Sequence, residues 1–192
     1  MRILENKIGI ICGINNQLGK ALIKSLENEG VKLLLVDSQK EDSVSNLHQY
    51  FLFKEGSQEQ NTLAYLEEAQ QFMGGVHLLV LNDIASSVQL LSEKIKVIWQ
   101  EIKLAIPFIA KSGGGSIVII SSQIGTDQAA MAGLVRSVAT EAAKLNVRIN
   151  LIVRPENQTS LSDLENEKIA RLVLSLADDK TTLITGSLHH ID

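Results

Sequence analysis

The side chains best placed for chemistry stand where the predicted strands end. Residues 12–19 form a glycine-bearing turn between an apolar run and a segment with helical spacing, and the first N–H groups of such a helix can bind phosphate. Asp83 follows another apolar run, at the edge of a parallel sheet where α/β proteins bind ligands. The turn is therefore either a phosphate cradle or a tight connection kept for packing, and Asp83 is either an acid/base group or a solvated loop carboxylate.

Hydrolytic and metal chemistry find no support in the remaining polar residues. No Gly-x-Ser-x-Gly elbow is present, and the histidines show no order that matches a Ser-His-Asp triad; they are His48, His77, His189 and His190. Adjacent residues of a strand point to opposite faces, so His189 and His190 cannot both hold one ion. With no cluster of cysteines or carboxylates near them, we predict no metal site.

Strand-like and helix-like segments alternate along the whole chain. The predicted strands are 8–12, 31–36, 50–53, 76–81, 117–120, 147–153 and 183–191, and the predicted helices are 19–28, 62–72, 92–111, 127–145 and 164–177. Pro107 is expected to bend the long helix or to end its regular hydrogen bonding. Short links between alternating strands and helices predict an α/β fold, a Rossmann-type doubly wound parallel sheet with helices on both faces, in a single domain over residues 1–192.

The composition excludes several classes of protein. Hydrophobic residues make up 45% of the 192 residues and aromatic residues only 4%, so aliphatic side chains must form the core of a sheet buried on both faces. The net charge is −4 and no cluster of Lys or Arg is visible, which argues against a nucleic-acid partner. Cys12 is the single cysteine of the sequence and cannot form an internal disulfide, which fits a reducing compartment. With no signal peptide and no apolar stretch of the ~18 residues that span a bilayer, we predict a cytoplasmic protein with no membrane partner.

Four segments, in order, carry a resemblance to short-chain dehydrogenases/reductases. They are LENKIGIICGINNQLGKAL, GGVHLLVLND, GGGSIVIISSQIG, and VRSVATEAAKLNVRINLIVRP followed by KIARLVLSLADD and LITGSLHHID. Together they extend over almost the whole chain, and four motifs in the right order and spacing are specific for the fold. The chain resembles a shortened and divergent member, because the segments after Asn82, Ser122 and Pro155 look short, and in the family they wall the substrate pocket.

The resemblance implies a nucleotide site, from which this chain departs. The implied cofactor-binding residues are Gly13, Asn15, Asn16, Gln17, Leu18, Gly19, Asp37 and Asn82. Gln17 replaces the glycine that lets the backbone approach the pyrophosphate, and Ile84 replaces a small residue beside the nicotinamide ribose. Asp37 matches the family's acidic residue that binds the adenine ribose, which would favour NAD over NADP. We predict weak or absent dinucleotide binding, with any residual preference for NAD.

The resemblance also implies a catalytic serine, tyrosine, lysine and asparagine. Ser122 matches the serine and Lys94 replaces the asparagine, whereas the tyrosine and lysine positions fall on Ile124 and Gln128. The family's chemistry needs the tyrosine hydroxyl as a proton donor or acceptor, with a lysine one helical turn later. The missing pair predicts that ordinary hydride transfer is lost. The groups left as catalytic candidates are Ser122, Lys94 and Asp83.

Two kinds of function remain open. The first is a protein without the family's hydride transfer that acts through binding or assembly or has been repurposed. The second is an enzyme, either an NAD-dependent oxidoreductase with a rearranged site or a cofactor-independent catalyst such as a cyclase, isomerase or dehydratase. Titration with NADH, followed through the enhancement of its fluorescence, separates the redox enzyme from the rest.

A homo-oligomer is expected under either function. In the family, the helices that match 92–111 and 127–145 form the main subunit contact. A surface helix of a monomer carries one apolar stripe, whereas the second helix has apolar or small residues on more than one face, namely Ala129, Leu134, Val138 and Ala142 and, beside them, Ala132, Val135 and Ala139. We expect a second copy of the chain to cover the surplus.

Overall fold

The computed structural model describes residues 2–38, 49–82, 90–121, 125–154, 162–181 and 183–191. Its strands are β1 (Ile8–Cys12), β2 (Lys32–Asp37), β3 (Gln49–Leu52), β4 (Leu78–Asn82), β5 (Gly115–Ser121), β6 (Val147–Val153) and β7 (Leu188–His190). They form one sheet in the order β3-β2-β1-β4-β5-β6-β7, and every pair is parallel. The predicted doubly wound sheet is confirmed.

Within the described ranges, five α-helices cover the sheet on both faces. They are α1 (Gln17–Asn28), α2 (Gln58–Glu68), α3 (Leu91–Lys111), α4 (Gly125–Ala142) and α5 (Asp163–Ala177). One apolar layer packs α2, α3 and α4 against the sheet, and the other packs α1 and α5 against its opposite face. Because both faces are covered, every residue of β1, β4 and β6 is buried.

The clearest differences from the predicted elements are in α2, α3 and β7. Helix α2 begins earlier than predicted because Ser57 and Gln60 form a capping box, and a π-helical turn, Ala69–Met73, then extends it. Pro107 lies inside α3, which continues to Lys111. Lys103, four residues before the proline, is exposed like Pro107, so water can reach the carbonyl that the proline leaves without a donor. Strand β7 is shorter than the predicted 183–191.

The strand order places a crevice at the end of β1. The chain passes from β1 to β2 on one side and returns to β4 on the other, and in doubly wound sheets ligands bind outside the carboxyl ends of the strands at this switch point. The residues that follow β1, β2 and β4 therefore face the same opening. Within the described ranges, no helix is long and apolar enough to cross a bilayer.

Candidate ligand cleft and active site

A cleft of about 650 Å³ opens at the carboxyl ends of β1, β2 and β4. Its walls come from these strand ends, from the turn after β3 and from the facing sides of α2 and α3. The lining residues are Cys12, Gly13, Asn15, Asn16, Asp37, Ser38, Phe53, Lys54, Gly56, Gln58, Asn61, Asn82 and Glu101. Ligand pockets of drug-sized molecules have volumes of about 300–1,000 Å³, so this cleft is the candidate binding site.

The turn after β1 requires glycine at its first position. Gly13 has φ +81°, and a Cβ added there would lie 2.2 Å from the backbone oxygen of Asn82. Any side chain would therefore both strain the backbone and push β4 away from β1. Gly19 has a comparable packing role, since its added Cβ would lie 2.4 Å from the carbonyl oxygen of Ile14.

Asparagine side chains close the start of α1. Asn16 Oδ1 accepts a hydrogen bond of 2.8 Å from the N–H of Gly19 and so caps the helix. Asn82 Nδ2 donates to the carbonyl oxygen of Gly13 at 2.7 Å and to Asn16 Oδ1 at 3.2 Å. Asn82 thus ties the end of β4 to the turn after β1, and the N-terminus of α1 already has a partner within the chain.

The carboxylate of Asp37 binds the same turn. Its Oδ2 accepts from the N–H groups of Ile14 at 2.8 Å and Asn15 at 3.2 Å. Its Oδ1 accepts from the N–H of Ser38 at 2.6 Å and from the Ser38 hydroxyl at 3.1 Å. A carboxylate offers about four acceptor positions, so all of those on Asp37 are used within the chain. A ribose hydroxyl could hydrogen-bond to Asp37 only by displacing one of these donors.

The structure brings most of the predicted cofactor residues together. Gly13, Asn15, Asn16, Asp37 and Asn82 all line the cleft. The other three, Gln17, Leu18 and Gly19, belong to α1 instead, where Leu18 is buried in the core and Gln17 is exposed. The predicted turn is therefore present as a unit, with Asp37 and Asn82 holding it in shape.

The predicted catalytic set is only partly described. Asp83 and Ser122 lie outside the described residues, as does Ile124. Lys94 does not line the cleft; its Nζ forms a 3.0 Å ion pair with Asp127 Oδ2, which joins α3 to the start of α4. At the predicted lysine position, Gln128 Nε2 lies 3.2 Å from His190 Nε2. These contacts link α4 to its neighbours and place neither Lys94 nor Gln128 against the cleft.

A Tyr-x-x-x-Lys spacing does occur, at Tyr50 and Lys54, but on the wrong kind of element. Tyr50 belongs to β3 and packs on the α1 and α5 face, and Lys54 lies just beyond the strand, with Nζ 5.8 Å from the ring centroid of Phe51. Residues four apart adjoin one another on a helix but not on a strand. This pair therefore cannot act as the family's tyrosine and lysine do.

The sequence analysis missed a buried polar cluster at the floor of the cleft. Glu101 of α3 is only 2% exposed. Its Oε1 accepts from Thr62 Oγ1 at 2.8 Å and from Gln58 Nε2 at 3.1 Å, and its Oε2 accepts from the hydroxyl of Tyr65. Cys12 lies beside this group and interacts with Tyr65. The sequence feature that could have indicated this cluster is Glu101 itself, a glutamate on the otherwise apolar face of the predicted helix 92–111.

Burial controls the protonation of this cluster. It raises the pKa of the Glu101 carboxyl above its ordinary value, although the donors Tyr65, Gln58 and Thr62 act in the opposite direction. Burial also raises the pKa of the Cys12 thiol and of the Tyr65 phenol well above their ordinary values, with the nearby carboxylate of Glu101 adding to both shifts. The thiol and the phenol therefore stay protonated at neutral pH. Among the described residues, no group of three His, Cys, Asp or Glu side chains could hold a metal ion.

Comparison with known proteins adds the family to this geometry. The family model described as short chain dehydrogenase matches residues 7–170. The chain is similar to the 7alpha-hydroxysteroid dehydrogenase of Clostridium sardiniense, with 24% identity over 100% of this chain and 94% of the relative. It is also similar to the 3-oxoacyl-(acyl-carrier-protein) reductase FabG of Thermotoga maritima, with 24% identity over 98% of this chain and 97% of the relative. The chain therefore belongs to the short-chain dehydrogenase/reductase family.

A solved structure supports the same fold. A hydroxysteroid dehydrogenase from Escherichia coli superimposes with a TM-score of 0.77 and 21% identity, over 98% of this chain and 95% of that one. The alignment with the Clostridium enzyme runs over 251 positions, against 192 residues here, so that relative has insertions where this chain is short. The resemblance to a shortened and divergent member of the family is confirmed.

Proposed function

We propose that this member of the family does not carry out hydride transfer and acts by binding a ligand in the cleft. The observation that carries the proposal is the identity of two residues in the sequence. Ile124 and Gln128 stand where the family's tyrosine and lysine act, and the acid/base work of such a pair accounts for about 10²–10⁴ in rate. Lys94, which stands where the family has an asparagine, is held by Asp127 at 3.0 Å.

The contacts of the turn support weak dinucleotide binding. The family normally uses NAD or NADP, whose pyrophosphate binds N–H groups at a turn of this kind. Here the N–H groups of Ile14 and Asn15 donate to Asp37, and that of Gly19 donates to Asn16. A dinucleotide must compete with these contacts, and the Asp37 carboxylate repels a 2′-phosphate. The described residues of the turn thus fit the cofactor poorly.

A turnover assay tests the proposal directly. The purified chain is incubated with NADH or NADPH and a panel of aldehydes, ketones and alcohols, with the Thermotoga reductase as the positive control. We expect no turnover above background from this chain at concentrations where the control is fully active. Turnover at rates comparable to the control would overturn the proposal.

A second candidate function is a redox enzyme with a rearranged proton donor. It is favoured by the relatives, which are named as dehydrogenases or reductases and align over nearly their whole length. Fluorescence titration with NADH separates the two candidates. Enhancement that saturates at micromolar NADH supports the redox enzyme, and a flat titration supports the first proposal.

We further propose a single-domain, cytoplasmic protein that forms a homo-oligomer through α3 and α4. Val135 and Ala139, which the sequence analysis counted among the residues that a second copy would cover, are 1% and 2% exposed and pack in the chain's own core. The support for an interface is instead Trp99, which is 40% exposed on α3, together with exposed Ala129 and Gly133 on α4. Small residues at these positions permit close approach of a second copy.

A further inference from the structure

A second pocket lies at the opposite edge of the sheet from the cleft. Lys7 precedes β1, His77 precedes β4 and Gly115 begins β5, so the amino ends of these parallel strands border it. The pocket has a volume of about 300 Å³, and its lining includes Lys7, His77, Arg148 and Asp179. This volume is at the small end of the range for ligand pockets, and none of its lining residues lines the cleft.

The backbone of β1 fixes both the orientation and the tautomer of the His77 ring. Nδ1 of His77 accepts from the N–H of Ile8 at 3.2 Å, so the proton of the neutral ring must be on Nε2. Nε2 has no partner among the described residues and is not enclosed, which leaves it open to water. The pocket and a smaller hollow beside it are both lined by His77 together with Lys7 and Asp179. His77 therefore offers an unused N–H donor next to these two charges.

Lys7 supplies a positive charge with spare donors. Its Nζ lies 2.7 Å from Asp179 Oδ2, and the two side chains are 30% and 63% exposed. An ammonium group has three N–H donors, and the structure describes no further hydrogen bond of this Nζ. Two donors of Lys7 are therefore open to a ligand while the ion pair with Asp179 stays in place.

The other charged groups leave the region around His77 positive. Arg148 is already compensated, because its guanidinium donates to carbonyl oxygens at the end of α5 and lies near the carboxylates of Asp178 and Asp179. Burial lowers the pKa of His77, the charge of Lys7 lowers it further, and Asp179 acts in the opposite direction with a smaller effect. The ring thus experiences a net positive potential, in which an anion is stabilised.

The same groups favour a carboxylate over a phosphate. Lys7 is the one cation left to a ligand, and Asp179 beside it repels a second negative charge. The glycine turn at the pocket offers no backbone cradle, because the N–H groups of Gly113, Gly114 and Gly115 all donate to carbonyl oxygens of the chain. Two donors from two side chains match the two oxygens of a carboxylate.

We propose that the pocket at the amino edge of the sheet binds a small monocarboxylate. One carboxylate oxygen accepts from Lys7 Nζ and the other from His77 Nε2. Asp179 limits the affinity and disfavours ligands with a second negative charge. The site is separate from the cleft, and it depends neither on the ligand of the cleft nor on the loss of hydride transfer.

Proton NMR of the His77 ring tests the proposal on the unmodified chain. The ring signals are assigned by their loss in His77→Gln, and sodium lactate is titrated against sodium chloride at the same ionic strength. We expect lactate to shift the His77 signals in a saturable way and chloride to leave them nearly unchanged. Bound lactate should also raise the pH at which His77 titrates, because a nearby anion stabilises the charged ring. Inorganic phosphate is titrated alongside and should bind more weakly than lactate.

Two variants should change lactate binding in opposite directions. Lys7→Gln removes the charge that holds the carboxylate and should weaken binding at least about 10-fold, as expected for the loss of a hydrogen bond to a charged group. Asp179→Asn removes the repelling carboxylate and frees Lys7, so it should strengthen binding about 3-fold. Lys32→Gln, at an exposed position where β2 begins on the same edge of the sheet, is the matched control and should bind lactate like the unmodified chain. Circular dichroism checks that each variant is folded.

Each alternative result has a defined meaning. If lactate moves the His77 signals of the folded protein no more than sodium chloride does, the proposal is overturned. Phosphate that binds as tightly as lactate overturns the choice of a monocarboxylate. Weaker binding in Asp179→Asn, as in Lys7→Gln, would mean that the ion pair only maintains the shape of the pocket, and it contradicts the direct contact with Lys7. The NADH turnover assay of the proposed function is independent of all these outcomes.

Discussion

Replacing Tyr65 by phenylalanine should destabilise the protein by an amount that depends on pH. The change keeps the ring, which packs edge-on against Phe51 with centroids 6.0 Å apart, and removes only the hydroxyl that donates to Glu101. A hydrogen bond to a charged group contributes about 1.5–3 kcal/mol and one between neutral groups about 1 kcal/mol. We therefore expect a loss of about 2 kcal/mol where Glu101 is ionised and about 1 kcal/mol where it is protonated.

The direction of the pH dependence follows from the raised pKa of Glu101. The folded chain holds this proton more tightly than the unfolded chain, so the stability that Glu101 contributes is complete below the pKa of the unfolded glutamate. That contribution is lost as the pH rises through the folded pKa. The Tyr65 hydroxyl lowers the folded pKa, so its removal raises the pKa further. The difference in unfolding free energy between the two proteins must then grow as the pH rises through the folded pKa.

Urea unfolding followed by circular dichroism measures this difference. With a slope of about 2 kcal/mol/M for a protein of this size, the midpoint should fall by about 0.5 M at the acid end of a pH series, where Glu101 is protonated, and by about 1 M at its alkaline end, where Glu101 is ionised. Cys12 and Tyr65 keep their protons over this range, because burial raises the pKa of each well above its ordinary value. A double-mutant cycle with Glu101→Gln isolates the pair. A midpoint shift that is equal at both pH values would refute the reasoning.

Three further predictions use other contacts. Gly13→Ala should lower the unfolding free energy by about 2 kcal/mol or more, because the new Cβ meets the Asn82 oxygen at 2.2 Å. Gly74→Ala is the matched control, since Gly74 has a similar φ of +97° and no atom within 4 Å of the added Cβ, and it should cost only about 1 kcal/mol. Urea unfolding compares the two variants. Lys94→Gln breaks an ion pair whose side chains are 16% and 31% exposed and should cost less than about 1 kcal/mol, so a larger shift in the urea midpoint would contradict this view of the pair. Gly133→Glu has open space around its new Cβ and should dissociate an oligomer in light scattering while circular dichroism stays unchanged; a monomeric unmodified chain would end the interface proposal.

The fold could be predicted from the sequence because the patterns that indicate its strands and helices are local. The apolar runs at 8–12 and 117–120 fall on β1 and β5, since strands buried on both faces are continuously apolar. The boundary of α2 was misplaced because its first turn is polar. Its start was nevertheless signalled by Ser57 and Gln60, a pair with the spacing of a capping box. Strand β7 was overextended, since its apolar pattern continues beyond the residues that pair with β6.

Only part of the candidate site could be predicted from the sequence, because some of its contacts join residues that are far apart in the chain. The turn residues adjoin in sequence, and their grouping with Asp37 and Asn82 follows from the parallel order of β1, β2 and β4. The Glu101 cluster instead joins α3 to α2 across 36 and 39 residues for Tyr65 and Thr62. A helix pattern gives the face on which a residue lies but not the side chain that it meets. Glu101 could be assigned to the buried face of its helix, whereas its partners required the packed structure.

The distribution of hydrogen bonds connects the retained fold with the changed chemistry. In a dinucleotide enzyme the turn after β1 and the acid after β2 must keep their hydrogen-bonding capacity for a ligand. Here the N–H groups of Ile14 and Asn15 donate to the carboxylate of Asp37. Each group therefore has a partner within the chain, which stabilises the strand ends without a cofactor.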